Sequence, residues 1–217
     1  NMRIQGPELV PDFVSMVLPN PAPGAKIPPG DYKVNLTIGD WQQEQVLAVK
    51  IDPNWTHVRA EELVKQYQMG TEIAEIIEDS HKAIENIRAI RTQATDIASR
   101  AIEAGYSDAL KESANKLDKA LTEVEDIIIQ NKIKTSQDAI NYPRKFSNHI
   151  GRVYTVLCYS EAGPTAGIIE RYKDVLKEYE QIKTKLQAVM DNEFIAFNDL
   201  LEKENVVHII VPNELKK

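Results

Sequence analysis

Four histidines (His57, His81, His149 and His208) and one cysteine (Cys158) are the side chains of this 217-residue chain best suited to metal or nucleophilic chemistry. Their spacing supports neither. No His-x-x-x-His pair occurs, and no histidine has a cysteine or carboxylate at a recognised ligand spacing. Glu78 precedes His81 by three residues, as in di-iron bundles, but the sequence holds no second copy of that pair. His81 lies on or beside a helical apolar stripe and reads as a packed or bundle-edge residue. A single cysteine can form neither an intrachain disulfide nor a Cys-rich zinc site. As a nucleophile, Cys158 would need a neighbouring base and an electropositive setting, and no motif supplies them; a small buried side chain is expected. Carboxylates are abundant on helical segments: Glu61, Glu62, Glu72, Glu75, Glu78, Asp79, Glu85, Glu123, Glu125 and Asp126. Glycoside hydrolysis needs two carboxylates about 5–10 Å apart across a cleft. These are instead interleaved with Lys and Arg, the pattern of a solvated helix face. Tyr32, Trp41 and Trp55 could form a sugar-stacking platform. Tyr32 and Trp41, however, fall on the apolar side of a strand alternation and are expected to pack a hairpin against its neighbour. Asn35-Leu36-Thr37 and Asn54-Trp55-Thr56 match the glycosylation sequon, a pattern frequent by chance. There is no glycine-rich phosphate loop and no Gly-x-Ser-x-Gly. No catalytic, cofactor-binding or metal-binding residue is therefore expected.

Composition narrows the class further. Lys and Arg total 26 against 33 Asp and Glu, a net charge of −7, so the basic excess used to bind nucleic acid is missing. Hydrophobic residues make up 42%, too many for a disordered polymer, while the apolar runs are too short to span a bilayer. The opening residues carry no basic stretch followed by an apolar core, so no signal peptide is expected in this sequence.

Eight of the eleven prolines lie between Pro7 and Pro53. Proline fixes φ and lacks a donor, so this quarter is expected to consist of strands and turns. Residues 31–38 alternate, with Tyr32, Val34, Leu36 and Ile38 on one face. Gly39-Asp40 then makes a two-residue turn that sets Ile38 beside Trp41 and Tyr32 beside Leu47. A lone hairpin is marginal in water. Either residues 1–30 add strands, or the hairpin packs on helices, or the rest of the sheet belongs to other sequence. From residue 59 the period becomes helical. A long stripe runs from Leu63 to Ala101 and stops at Gly105. Ser107 can cap a second helix, residues 132–143 read as a loop, and a third, shorter helix carries Phe146 to Leu157. After the turn at 161–165 a fourth helix runs to about Glu204, with Val189, Ile195 and Phe197 on its stripe. The expected fold is α+β, mostly α. A small β-hairpin or partial fibronectin-like sandwich (1–54) precedes an antiparallel four-helix bundle with two long helices (55–205), then a short strand or tail (206–217).

The order of these features resembles a known family. Pro28-Pro29-Gly30-Asp31-Tyr32-x-Val34-x-Leu36, the hairpin, and a strand ending Val49-Lys50-Ile51-Asp52-Pro53 resemble the C-terminal region of bacterial sortilin-like proteins with BNR (Asp-box) repeats, which are glycosyl hydrolase-like. Ile87-Arg88-Ala89-Ile90-Arg91, Ile140-Asn141-Tyr142-Pro143-Arg144-Lys145-Phe146 and Ser160-Glu161-Ala162-Gly163-Pro164-Thr165 continue the resemblance over roughly residues 27–204. It implies a non-catalytic accessory region that braces an upstream β-propeller of the same polypeptide or presents a partner surface. Carbohydrate would be met only through that propeller, in a periplasmic or secreted setting. No Ser-x-Asp-x-Gly-x-Thr-Trp box occurs in this sequence, so no family active-site residue carries over. A self-standing coiled-coil or interaction scaffold is the alternative. No nucleic-acid or membrane partner is expected.

Overall fold

A computed structural model describes residues 2–206. Strands β1 (Gly30–Ile38) and β2 (Trp41–Val49) pair antiparallel, with Ile38 opposite Trp41 and Tyr32 opposite Leu47. This register is the one dictated by a two-residue turn, with Gly39 at φ +58°, where a Cβ would be strained.

Helix α1 (Ala60–Glu103) has 44 residues and is about 66 Å long at 1.5 Å per residue. Gly105, at φ +87°, ends it as the stripe predicts. The Ser107 hydroxyl accepts the Ala109 N–H at 3.1 Å and caps α2 (Asp108–Ile128). One 3₁₀ turn (Ser136–Ile140) interrupts the connection to α3 (Phe146–Tyr159), whose start is capped by the Asn148 side chain accepting the Lys145 N–H at 3.0 Å. Thr165 caps α4 (Ala166–Val189). A π-helical turn (Met190–Phe194) joins α4 to α5 (Ile195–Lys203), so the two form one continuous rod.

That π turn has a packing cause. Ile182 and Val189 face the core, and the next aromatic, Phe194, comes five residues later instead of three or four. One extra residue in the turn keeps Phe194, Phe197 and Leu201 on the buried side. Ile195, counted on the stripe by its apolar character, lies off that face, six residues past Val189, and is 48% exposed.

The helices form an antiparallel bundle. Along α1, α2 flanks the C-terminal half, where Arg91 meets Asp118, and α3 flanks the N-terminal half. There the buried Gln66 amide donates to the Leu157 and Ser160 carbonyls at 2.7 and 2.9 Å and caps the end of α3. The α4 rod packs on α3 and α2, and it reaches α1 through the Tyr172 and Tyr179 hydroxyls, which meet Glu72 and Asp79. Burial, then those carboxylates, pushes both phenols up to about 12.

Residues 2–27 add no strand to the hairpin. They fold back on themselves through one bridge, Arg3 with Lys26, and lie as a strap over the groove between α1 and α3. Val10, Leu18 and Ala25 are each 1% exposed, so the strap is part of the core. Its two legs pass so closely that a Cβ at Gly6 or Gly24 would collide with opposing backbone. The Tyr154 hydroxyl donates to the Pro23 carbonyl at 2.7 Å, and Arg3 donates to the carbonyls of Gly24 and Cys158. Gly70, among the small residues of the α1 stripe, admits Ala25 of the strap and Cys158 of α3. The strand or tail expected from residue 206 onward lies, beyond Val206, outside the described residues.

Candidate functional site

Two features depart from a bundle that only packs. One is the hairpin. Direct partners in the ladder share a face, so the apolar Tyr32, Val34, Leu36, Ile38, Trp41 and Leu47 line one side together with Gln43 and Gln45. Five of the six apolar residues stand in solvent, from Leu47 at 39% to Ile38 at 65% exposure. Only the base is anchored: the Tyr32 hydroxyl donates to the Pro28 carbonyl at 2.7 Å, and Tyr32 and Val49 are half-buried. Trp41 and Ile38 face each other at the free tip, and among the described residues no layer covers them. The opposite face carries Asp31, Lys33, Asn35, Thr37, Gln42, Glu44, Val46 and Ala48, with Lys33 and Glu44 paired at 2.9 Å and Val46 67% exposed. A two-stranded ribbon so placed has almost no tertiary support. Its ladder amides are therefore expected to exchange with deuterium at least about a hundredfold faster than the central turns of α1. Equal protection of the two would show that something covers the hairpin in solution.

The other feature is a charge cluster that sequence reasoning read as part of a solvated face. Glu125 is 2% exposed. Its Oε1 accepts from Arg88 Nε at 2.8 Å and its Oε2 from Arg91 Nη1 at 2.9 Å. Arg88 also donates to Asp12 of the strap at 2.8 Å and to Asn131 at 3.2 Å, and Arg91 to Asp118 at 2.7 Å. The Arg88 hydrogen bond holds the Asp12 carboxyl below the usual carboxylate range. A signal was present. Glu125 sits on the α2 stripe itself, four residues after Leu121 and three before Ile128, opposite arginines spaced i, i+3 on α1. Both carboxylate oxygens of Glu125 accept from arginines within the fold, so the cluster reads as a clasp joining strap, α1 and α2.

The remaining candidates are scattered. His57 is exposed at the start of α1 and Trp55 is half-buried beside it. Glu61, Glu62, Glu72, Glu75, Glu78, Asp79, Glu85, Glu123 and Asp126 are all exposed. Cys158 is buried, and burial pushes its thiol up to about 11, which keeps it a protonated packing residue at neutral pH. Tyr154, its neighbour, is raised by burial as well. His149 Nδ1 lies 2.7 Å from Glu178 Oε2. His81 is 2% exposed; its Nδ1 accepts the Val10 N–H at 3.2 Å and its ring meets Phe13 edge to face at 4.6 Å. His208 lies outside the described residues. Among the described residues, no group of three or more His, Cys, Asp or Glu is placed to hold a metal ion, and no helix is long and apolar enough to cross a membrane. No protein-family model, curated protein or solved structure matches this chain.

Proposed function

We propose that this chain is a non-catalytic accessory region of a larger BNR-repeat, glycosyl hydrolase-like polypeptide, in which the bundle is a rigid support and the hairpin is the element that beds against the rest of the protein. The unpartnered apolar face of the hairpin carries this reading. A ribbon with six apolar side chains on one side, five of them exposed, resembles half of a two-layer packing, and burying that side is favourable. The resemblance over residues 27–204 supports the choice of partner: an upstream propeller of the same polypeptide, in a periplasmic or secreted setting.

The hairpin is too small to bind a second copy of itself firmly. Nine residues per strand at about 3.4 Å, two strands wide, present roughly 300 Å², against the ~800 Å² per partner of a stable interface. Light scattering on the purified chain is therefore expected to return a monomer of 24.5 kDa. A stable dimer would favour the self-standing scaffold instead. Incubation with a panel of aryl glycosides and polysaccharides is expected to give no turnover above buffer; cleavage that follows the protein through purification would end the accessory reading.

A further inference from the structure

The N-terminal end of α3 meets α2 and α4 around a cleft of about 360 Å³. That is the small end of the ligand-site range, roughly 300–1,000 Å³. Its apolar lining is Ile127 of α2, 38% exposed, with the edges of the core residues Phe146 of α3 and Ile182 of α4 beneath it. Phe146 is held rigidly, stacked on Tyr179 with ring centroids 5.9 Å apart. Around these walls stand Arg144, Lys145, His149 and Lys185, with Glu178 as the one carboxylate. Glu178 is already matched: Arg171 lies 3.1 Å from one oxygen and His149 Nδ1 2.7 Å from the other. Lys185 leans to Glu123 at 3.4 Å. The Arg144 and Lys145 side chains have no anionic partner among the described residues, and both flank the positive end of the α3 dipole. A concentration of unmatched positive charge over a greasy floor is unusual in a chain of net charge −7.

We propose that this cleft binds a small amphipathic organic anion, its ring body on Ile127, Phe146 and Ile182 and its carboxylate or sulfonate beside Arg144, Lys145 and the start of α3. Charge complementarity selects the head group, since an uncharged ligand would leave both cations unmatched while a carboxylate or sulfonate accepts from them directly. The walls select an aromatic or alicyclic body of modest size. The hairpin plays no part: it joins the bundle near the opposite end of α3, about 20 Å away along that helix.

The probe is 8-anilinonaphthalene-1-sulfonate, titrated by fluorescence into the whole chain, with its uncharged parent 1-anilinonaphthalene as the comparison. The expected result is a saturable single site for the sulfonate and at least about tenfold weaker binding of the uncharged body, the loss of one charge-assisted contact. The double substitution Arg144→Gln, Lys145→Gln is expected to weaken the sulfonate by about tenfold or more; neither side chain forms an ion pair among the described residues, and the melting temperature serves as a check on integrity. Leu36→Ser with Trp41→Ser on the hairpin is expected to leave the affinity unchanged. Amide shift mapping by NMR should place the perturbed residues around Ile127, Phe146, His149 and Ile182. Equal affinity for the charged and uncharged probes, no effect of the double substitution, or shifts confined to the hairpin would each overturn the proposal.

Discussion

Replacing Glu125 with alanine is expected to destabilise the fold by about 3–5 kcal/mol, the cost of stranding buried charge when one member of a buried ionic cluster is removed. For a chain of this size that corresponds to a fall in melting temperature of roughly 10 °C. The geometry explains the size of the effect. Among the described residues, Glu125 is the one carboxylate that Arg88 and Arg91 share, and both arginine side chains are about two-thirds buried beside it. Without it two like charges face each other at the α1–α2 seam, balanced among the described residues by Asp12 and Asp118, both more exposed. Glu125→Gln keeps the volume and removes the charge, so it separates electrostatics from packing; a loss close to that of alanine assigns the effect to charge. Arg171→Ala supplies the contrast. Its ion pair with Glu178 lies at the surface, and a change within about 1 kcal/mol is expected. Chemical denaturation of the three variants decides the matter. A Glu125→Ala protein as stable as the parent would mean that the clasp contributes nothing.

Acidification from pH 7 to pH 4 is expected to remove about 3 kcal/mol of stability through His81 alone. Burial, and then the nearby Arg88 charge, lowers its pKa from the ordinary 6.5 to about 4, while Asp12 works weakly the other way. The folded protein thus holds a neutral ring where the unfolded chain takes up a proton. The group's full contribution is present above pH 6.5 and is lost progressively as the pH falls toward 4. Because Nδ1 accepts the Val10 N–H, the neutral ring carries its proton on Nε2; a doubly protonated ring could no longer accept, and the strap would lose that tie to α1. Glu8 of the strap and Glu78, Lys82 and Glu85 of α1 line the small cavity at this point, and Asp12 titrates in acid too. The measurement is therefore comparative: urea unfolding at pH 7, 6, 5 and 4 for the parent and for His81→Met. The parent should lose about 3 kcal/mol more than the variant across that range. Parallel pH profiles would show that His81 is protonated in the folded state at no such cost.

Much of the architecture is legible in the sequence because helices and hairpins are specified over short distances. The three- and four-residue steps from Leu63 to Ala101, the stop at Gly105 and the cap at Ser107 each act within a turn or two. The alternation from Tyr32 to Ile38, with Gly39-Asp40, fixes the strand register by the same local logic. The mostly helical α+β fold follows from them. Phe194 marks where local logic fails. Apolar character alone counts Ile195 on the stripe, but six residues past Val189 it turns away from the core, and the π turn brings Phe194 inward instead.

Prolines showed that residues 2–27 could not be a helix, but not that they would lie along the α1–α3 groove. That placement depends on partners distant in sequence, such as Tyr154 with Pro23 and Arg3 with Cys158. Glu125 looked like its acidic neighbours until α1 closed over α2 and its arginines reached it. The basic cleft, too, joins residues from three helices, none of which carries a motif. Residue order alone thus determined the rods, most of their ends and the ribbon, while the start of α1 falls at Ala60 behind Arg59 and not at Thr56. The tertiary structure decided which charges are buried, which apolar face is left bare and where a cleft opens, because burial belongs to surfaces that meet and not to the segments that form them.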